Sequence, residues 1–373
     1  MKKILIIAAK LYNDPTGGGG TVLKTLIDTL IDDYQLDLIL YRTPVKDYYQ
    51  HPQLKTYFHP IKFRSLNKFE RRIKNIEWNM QYLNDNHDLY AYEKIIIVHI
   101  SKLFGFEILS KEILAKTIIF PMYLTPSYKR SNEVVSDAYF DAEKRVLGLV
   151  GKIITPSLSE KEDLLQFYQV DESKIIVIPR GIDNVFLNEQ RLGFHCPIKL
   201  ITVSSIKPQK NVLESIKILK TLRGLGYNVS LSIIGKVEVQ HLYEELISYI
   251  DSTEMSPYVD VIQGLPLDLV AEAMHKADLL VLPSLWETFG RVVYEGLASG
   301  MPAVIKTNID CFSHLYKEQF IAPYDTVNEA VKKIAYWIDH PDEYKEASKL
   351  AIDFSIQFLS ELERKRLYEE ITC

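Results

Sequence analysis

Cysteine is scarce in this sequence. Its 373 residues include three cysteines, Cys196, Cys311 and Cys373, whose spacing fits neither a disulfide framework nor a zinc site. A small secreted domain held by disulfides is therefore excluded. We expect the chain to fold in a reducing compartment, the cytoplasm.

Long apolar runs are absent as well. No stretch approaches the roughly 18 apolar residues that a transmembrane helix needs. The run from Ile4 to Ala9 follows two lysines, as in a signal peptide, but six residues are too few for the apolar core of one. We interpret it as a buried strand and expect a soluble protein, at most peripheral to the inner face of a membrane.

Positive charge is in the minority, with 44 Lys and Arg against 49 Asp and Glu and a net charge of −5. This balance, without a recognisable nucleic-acid-binding module, argues against a nucleic-acid partner. The balance is slightly positive up to residue 185 and negative beyond it. The first half therefore suits an anionic partner, a phospholipid surface or a phosphorylated acceptor, although a solvated face without a partner fits as well.

Short runs of Ile, Leu and Val alternate with longer amphipathic segments, which is typical of parallel sheets covered by helices. The first half has these expected strands: Lys3–Ala8, Asp37–Tyr41, Lys94–His99, Thr117–Phe120, Lys152–Thr155 and Ile175–Ile178. The second half has these: Lys199–Val203, Val229–Ile234, Val259–Ile262, Leu279–Leu282 and Ala303–Ile305. The pattern predicts an α/β protein with two Rossmann-like domains, 1–185 and 196–345, and a helical tail, 346–373.

A run of glycines, Gly17 to Gly20, separates the first strand from a helix expected over Thr21–Asp32. Glycine lets the backbone approach a ligand closely, and free N–H groups at a helix start attract phosphate or carboxylate. The G-x-G-x-x-G dinucleotide fingerprint is absent, which disfavours a dehydrogenase. A merely flexible loop is an equal alternative.

A lysine, Lys210, follows the first strand of the second half and precedes a helix expected over Asn211–Leu225. Ligands of open parallel sheets bind beyond the carboxyl ends of the strands. Lys210 is therefore placed to neutralise a diphosphate, although a solvated loop lysine is the commoner case.

The most specific stretch runs from Leu282 to Pro302 and contains two carboxylates. Glu287 lies in a loop before a helix expected over Gly290–Ala298, and Glu295 lies on that helix. The start of the helix offers free N–H groups and a positive dipole end to a diphosphate. Each carboxylate could hold a vicinal pair of hydroxyls, as sugars and ribose offer.

These residues resemble the E-x7-E signature of the retaining GT-B glycosyltransferases of family 4. The resemblance rests on Pro283-Ser284, Glu287, Phe289-Gly290, Glu295 and Gly300-Met301-Pro302, and it extends through the glycine run, Ile178–Asp183, the lysine loop and the tail. It implies two Rossmann-like domains whose parallel sheets face each other across a cleft, and a last helix that crosses back to the first domain. It also implies a nucleotide-sugar donor, retention of configuration, no cofactor and no metal; no Asp-x-Asp motif at a strand end contradicts this.

The resemblance assigns roles residue by residue. Glu287 would contact the donor sugar and Glu295 the ribose, while Lys210 would meet the diphosphate. The remaining donor contacts would be Gly18, Gly19, Ser205, Gly264, Leu265, Thr288, Phe289 and Gly290, with Gly264 and Leu265 beside the nucleobase.

Two departures from the family pattern matter. Ser204-Ser205 stands where the family has Gly-Arg, so the arginine that assists the lysine is missing, and Arg180 or Arg291 is expected to replace its charge. Arg291 is favoured because it starts the phosphate-facing helix, and we count it with Glu287 and Lys210 as catalytic.

The second departure concerns the acceptor side. Pro121-Met122 stands where many relatives have a histidine, and His99 is the candidate substitute, although a buried, satisfied histidine is the favoured interpretation. The further candidates for acceptor contact are Tyr123, Ser127, Tyr128 and Lys129. A basic-aromatic stretch, residues 62–78, predicts an amphipathic helix that either contacts a membrane or faces solvent.

The sequence thus predicts a metal-independent, retaining hexosyltransferase. The expected donor is a nucleotide-diphosphate sugar, with UDP favoured, and the acceptor is a hydroxyl of a glycan or lipid-linked acceptor, as in surface-polysaccharide assembly. A catalytically silent GT-B partner of an active transferase is the alternative, motivated by Ser204-Ser205 and the missing histidine. An epimerase or phosphorylase of the same architecture fits the E-x7-E context less well.

Overall fold

The computed structural model describes residues 2–9, 11, 18–42, 49–130 and 132–373. The chain forms two compact units, the first of Met1–Pro179 with Glu363–Cys373 and the second of Arg180–Leu362. The domain bounds predicted from the sequence, at 185, 196 and 345, stay a prediction. The compact units of the structure divide the chain at Pro179 and Leu362.

The first unit contains a seven-stranded parallel sheet in the order β3-β2-β1-β4-β5-β6-β7. Its strands are β1 Lys3–Ala8, β2 Gln35–Leu40, β3 Leu54–Phe58, β4 Lys94–Val98, β5 Thr117–Phe120, β6 Lys152–Thr155 and β7 Ile175–Val177. In register, Ile4 pairs with Leu36 on one side of β1 and with Lys94 on the other. All six predicted strands are present, and the edge strand β3 is additional.

The helices of the first unit pack against the apolar side chains that alternate between the two faces of the strands. They are α1 Gly18–Leu30, α2 Lys68–Lys74, α3 Ile76–Asn86, α4 Lys111–Ala115, α5 Thr125–Arg130, α6 Asp137–Leu147 and α7 Leu158–Tyr168. On β1, Ile4 and Ile6 share a core with α1, whereas Leu5 and Ile7 belong to a second core with α2, α3 and α6. The sheet is therefore apolar on both faces, as continuous Ile, Leu and Val runs predict.

The second unit contains a six-stranded parallel sheet in the order β10-β9-β8-β11-β12-β13. Its strands are β8 Ile198–Val203, β9 Val229–Ile234, β10 Val259–Ile262, β11 Leu279–Leu282, β12 Ala303–Lys306 and β13 Ile321–Tyr324. Its helices are α8 Leu213–Gly224, α9 Gln240–Ser252, α10 Leu267–His275, α11 Arg291–Ala298, α12 Val327–Asp339 and α13 Pro341–Ser355. The prediction of two Rossmann-like domains with parallel sheets is confirmed.

The last helix, α14 Ser360–Thr372, contributes residues to the first unit. Leu367 and Ile371 are buried in the core that contains Ile4 and Ile6. Lys152 Nζ lies 2.5 Å from the carbonyl oxygen of Glu370 and 3.1 Å from its carboxylate. The C-terminal end of the chain therefore completes one face of the first sheet.

Two local predictions are wrong. Residues 62–78 do not form one helix, because α2 begins only at Lys68 and ends at Lys74. The side chain of Asn75 bonds both the N–H and the carbonyl of Lys62, which fixes the preceding segment as a loop. Gly18 and Gly19 are not in a loop either, since they form the first turn of α1; Gly17 lies outside the described residues. In the described part of the chain, no helix is long and apolar enough to cross a membrane.

Candidate active site

The predicted donor residues of the second unit lie at one edge of its sheet. Because β8, β10 and β11 are parallel, the loops that follow them emerge at the same edge. Ser205 and Lys210 follow β8, Gly264 follows β10, and Glu287 follows β11. The sheet thus gathers residues that lie far apart in the sequence, as predicted.

Lys210 and Glu287 pair directly, with 2.5 Å between Nζ and Oε1. Their side chains are only 16% and 7% exposed. The two loops are also tied through Gln209, whose carbonyl accepts from the N–H of Leu285 at 2.8 Å and whose side-chain amide donates to the carbonyl of Trp286 at 2.9 Å. A largely buried ammonium and a largely buried carboxylate therefore lie side by side at the edge where open parallel sheets bind ligands.

Gly290 sets the start of α11. Its backbone is left-handed, with φ at 69° and ψ at 49°, and a Cβ built there would lie 2.1 Å from Cζ of Phe312. Only glycine fits both the torsion and the space. The turn leaves the first N–H groups of α11 without partners inside the helix, so this end attracts an anion.

The side chain of Phe289 packs within the unit. Its ring stacks on Tyr294 with 4.6 Å between centroids, and Tyr294 in turn lies 4.4 Å from the ring of Phe358. The ring of Phe289 is therefore used in packing, and its predicted donor contact would come from the backbone. Thr288, beside it, is half-buried.

Glu295 and Arg291 pair one turn apart on α11, with 2.7 Å between Oε1 and Nε. The carboxylate is buried and the guanidinium is about one-third exposed. The residue expected to hold ribose and the arginine expected to replace the missing family arginine thus touch each other. Arg291 orients Glu295 in this state and keeps further N–H donors for a ligand.

Two serine hydroxyls near this edge are buried. Within the described residues, neither Ser204 Oγ nor Ser284 Oγ has a hydrogen-bond partner. Buried hydroxyls are normally bonded, so each has an unused donor and acceptor. Ser205, the predicted donor contact, lies beside Ser204 and is half-buried.

Gly264 follows β10 with φ at 85°. A Cβ added to Gly264 would come no closer than 3.9 Å to any atom outside the two neighbouring residues. The backbone torsion, not crowding, therefore requires glycine here. The nearest such atom, Lys236 Cγ, is at an ordinary van der Waals distance, and Leu265 packs partly on the core. Arg180, half-buried, begins the second unit, directly before Gly181 and Ile182.

Two residues of this edge escaped the sequence-based prediction. Lys306, at the end of β12, lies 2.6 Å from Glu214 on α8, whose other oxygen accepts from Asn211. Gly235, after β9, approaches the carbonyl of Ser204 so closely that an added Cβ would lie 1.8 Å from it. A glycine directly after a strand was the only sequence signal for this contact.

On the acceptor side, His99 follows β4 with φ at 87°. Its Nε2 lies 3.1 Å from Nη2 of Arg72, and its Nδ1 lies 3.1 Å from the hydroxyl of Ser101. Burial, with Arg72 and Lys102 nearby, lowers the pKa of His99 well below its usual value, so the ring is neutral. The interpretation as a buried, hydrogen-bonded histidine agrees with this geometry.

The other acceptor candidates are placed differently. Tyr128 is linked to His99 through Arg72, because its hydroxyl accepts a hydrogen bond from Arg72 at 2.9 Å. Tyr123 is half-buried next to the ring of Tyr128, and Ser127 is buried. The ammonium of Lys129 lies over the ring of Phe140 instead, 5.4 Å from its centroid. An acceptor role for these four residues remains a prediction.

Family models match both halves of the chain. The model of the glycosyl transferases group 1 matches residues 188–354, and that of Glycosyltransferase Family 4 matches residues 16–185. Together the two models account for most of the chain. The chain belongs to the GT-B glycosyltransferases.

Individual relatives of this GT-B glycosyltransferase are distant. The processive diacylglycerol alpha-glucosyltransferase of Acholeplasma laidlawii is 23% identical over 78% of this chain and 89% of its own. The MMP alpha-(1->4)-mannosyltransferase of Mycolicibacterium hassiacum is 26% identical over 44% of this chain and 39% of its own. The chain spans only 39 to 57% of the length of three of the curated relatives it matches.

A solved structure supports the fold of this GT-B glycosyltransferase over its full length. HepE of Anabaena, crystallised with UDP-glucose, superposes with a TM-score of 0.74 at 16% identity and covers all of both chains. At this identity the likeness shows the fold alone, and the site must be argued from the residues themselves.

Proposed function

We propose that this GT-B glycosyltransferase transfers a sugar from a nucleotide-diphosphate sugar, with a UDP-sugar favoured, to a hydroxyl acceptor with retention of configuration. The observation that carries the proposal is the pairing of Lys210 with Glu287 beside the start of α11. An ammonium, a carboxylate and a helix N-terminus at one sheet edge match the diphosphate and the hydroxyls of such a donor.

Each group has a distinct task in this proposal. Lys210 and the first N–H groups of α11 hold the diphosphate, and the same contacts strengthen as negative charge develops on the leaving group. Glu287 holds hydroxyls of the sugar, and Glu295, oriented by Arg291, holds those of the ribose. Fixed cations and N–H groups thereby take the place of a metal ion.

The transfer balances without a further reactant. The acceptor oxygen forms a bond to the anomeric carbon, the bond from that carbon to the diphosphate oxygen breaks, and the acceptor proton moves to the departing diphosphate. Because attack and departure share one face of the sugar, its configuration is retained. No carboxylate acts as nucleophile in this scheme.

The preference for UDP and the nature of the acceptor rest on the relatives. HepE was crystallised with UDP-glucose, and the Acholeplasma relative is, by its name, a glucosyltransferase acting on a diacylglycerol. We propose a glycan or lipid-linked acceptor, as in surface-polysaccharide assembly. Exposed Lys62, Phe63, Arg64 and Lys74 offer basic and aromatic side chains for peripheral membrane contact.

Thermal denaturation with UDP, GDP, ADP and their sugar conjugates tests the donor site. A ligand at a hundred times its dissociation constant stabilises by about 2.7 kcal/mol. We expect UDP conjugates to do so with the native protein and not with Glu295→Ala. No response to any nucleotide would overturn the proposal.

A second measurement separates transfer from binding alone. Incubation with the bound nucleotide sugar and glycan or lipid acceptors, followed by NMR of the product's anomeric proton, reports transfer and configuration. An inverted product contradicts retention. If the protein binds the donor but neither transfers nor hydrolyses it, the silent-partner alternative is favoured. Ser204-Ser205 in place of Gly-Arg motivates that alternative.

A further inference from the structure

Two cationic side chains of the first unit, Arg72 and Lys102, form no ion pair with any carboxylate that the structure describes. In the described part of the chain, Arg72 bonds only neutral groups, namely the hydroxyls of Tyr128 and Tyr139 at 2.9 and 3.0 Å and His99 at 3.1 Å. The ammonium of Lys102 lies 4.7 Å from the ring centroid of Tyr41, and it has no hydrogen-bond acceptor among the residues that the structure describes.

The two cations lie near each other on either side of His99, and the charge of Arg72 is, after burial, among the causes that lower the pKa of Lys102. The backbone N–H of Lys102 donates to the carbonyl of His99 at 2.9 Å, and the ring of His99 contacts Arg72. Both cations are half-buried, so they are partly withdrawn from water but remain accessible. Charges in such a position are costly unless an anion pairs with them.

Among the described residues, no carboxylate forms an ion pair or a hydrogen bond with Arg72 or Lys102. Lys68, also nearby, is paired with Glu133. Glu143, the acid next to this group, accepts from the hydroxyl of Tyr168 and the N–H of Thr125 instead of Arg72, and burial raises its pKa to about 7. Burial and the positive charges of Arg72 and Arg71 lower the pKa of Lys102 to about 7. An arriving anion would restore the full charge of this ammonium.

The position in the fold also favours a ligand. Tyr41 follows β2 and His99 follows β4, the strands on either side of β1. The chain connections reverse direction at this point of the sheet, and ligands of open α/β sheets bind in the crevice beyond the carboxyl ends of such strands.

We propose that Arg72 and Lys102 bind a phosphate group of a ligand of the first unit, with the buried hydroxyls of Tyr128 and Tyr139 holding the guanidinium in place. A phosphate oxygen takes the free N–H groups of Lys102, and the guanidinium of Arg72 supplies further donors. That the ligand is the sugar acceptor rests on the proposed function; the phosphate site itself does not.

Glycerol 1-phosphate binding, measured by calorimetry without nucleotide, tests the site with Lys102→Met as the decisive variant. We expect its affinity to fall about tenfold or more, as for loss of a charge-assisted hydrogen bond. Lys102→Arg should retain binding, and so should Lys129→Met, whose ammonium lies over Phe140. The ligand-free Lys102→Met protein should melt no lower than the native protein, because an unpaired charge has been removed.

Co-sedimentation with phosphatidylglycerol vesicles identifies the source of the phosphate. Weakened glycerol 1-phosphate binding in Lys102→Met indicates a soluble phosphoester, whereas weakening confined to the vesicles indicates a lipid headgroup. Unchanged binding of both probes, or a lower melting temperature of the ligand-free variant, overturns the site. Since no nucleotide is present, failure of the donor proposal leaves this result unaffected.

Discussion

Lys210 and Glu287 form an ion pair, 2.5 Å long and mostly withdrawn from solvent, between the loops that follow β8 and β11. Neither loop holds its charged residue alone, because Gln209 ties the two loops together through Leu285 and Trp286. A change to either partner therefore acts on both loops and on both proposed donor contacts.

Lys210→Met should destabilise the protein by about 3–5 kcal/mol, because it leaves a buried carboxylate without its partner. Lys210→Met combined with Glu287→Gln should recover part of that loss, although both proteins should lack transfer. Urea unfolding measures the difference. Lys276→Met, which breaks an exposed pair with Glu272, is the control and should cost about 1 kcal/mol or less. Equal losses in Lys210→Met and Lys276→Met would contradict the burial of the site pair.

Arg291→Ala should weaken nucleotide-sugar binding about tenfold, because it removes a donor from the start of α11 and frees the carboxylate of Glu295. Arg180→Ala is the matched comparison, and calorimetry with the preferred nucleotide measures both. Donor affinity unchanged in both variants would exclude either arginine as the replacement for the missing family arginine.

Gly290→Ala should destabilise the protein by at least 1–3 kcal/mol, roughly the cost of a left-handed backbone alone, with the clash against Phe312 in addition. Adding Phe312→Leu should relieve the clash and leave the backbone cost. By contrast, Gly19→Ala meets no atom within 4 Å and lies in the first turn of α1, so it should stabilise by up to about 1 kcal/mol. Thermal unfolding measures the stability of both variants. Equal losses in Gly290→Ala and Gly19→Ala would contradict this prediction.

Glu143→Gln should flatten the pH dependence of stability. Burial raises the pKa of Glu143 from 4.5 to about 7, so the folded state binds its proton more tightly than the unfolded state does. Stability from this group is therefore complete below pH 4.5 and is lost as pH rises to about 7, with a slope of at most about 1.4 kcal/mol per pH unit.

Urea unfolding at pH 5 and pH 7.5 measures that slope. The Glu143→Gln protein should lose less stability between the two pH values than the native protein, whereas the exposed Glu162→Gln control should follow the native slope. An unchanged slope in Glu143→Gln would mean that its carboxyl titrates as in the unfolded chain.

Leu367→Ala should cost about 2–5 kcal/mol, because its side chain on α14 is 1% exposed within the core of the first unit. Leu362→Ala removes the same atoms from an exposed position of that helix and should cost about 0.5 kcal/mol. Urea unfolding of the two variants side by side tests the contribution of α14; similar losses would deny it a role in this core.

The interior strands were predictable, whereas two of the four edge strands were missed. β1, β5, β6, β9, β10 and β11 match their predicted bounds, since most are dense runs of Ile, Leu and Val. The two missed strands, β3 and β13, lie at sheet edges. β3 is partly exposed and β13 contains Pro323, which edge strands tolerate, so neither has the apolar pattern of an interior strand.

The site residues of the second unit could be proposed because loops after parallel strands share an edge. Their pairing could not, since the partners in Lys210–Glu287 are 77 residues apart and the sequence does not show how the loops fold. The position of Arg72 is the clearest failure of the sequence-based prediction. Its basic neighbours suggested a surface, whereas its guanidinium bonds Tyr128 and Tyr139, which are 56 and 67 positions away.

The first unit is made of two separate stretches of chain, and the second is continuous from Arg180 to Leu362. During synthesis, the continuous unit therefore has all of its residues before the discontinuous one does. Until the ribosome has released Leu367 and Ile371, the face of the first sheet that holds Ile4 and Ile6 lacks part of its apolar cover. The first unit is thus the first to begin synthesis and the last to have all of its residues. Its nascent form exposes an apolar surface of the kind that chaperones bind.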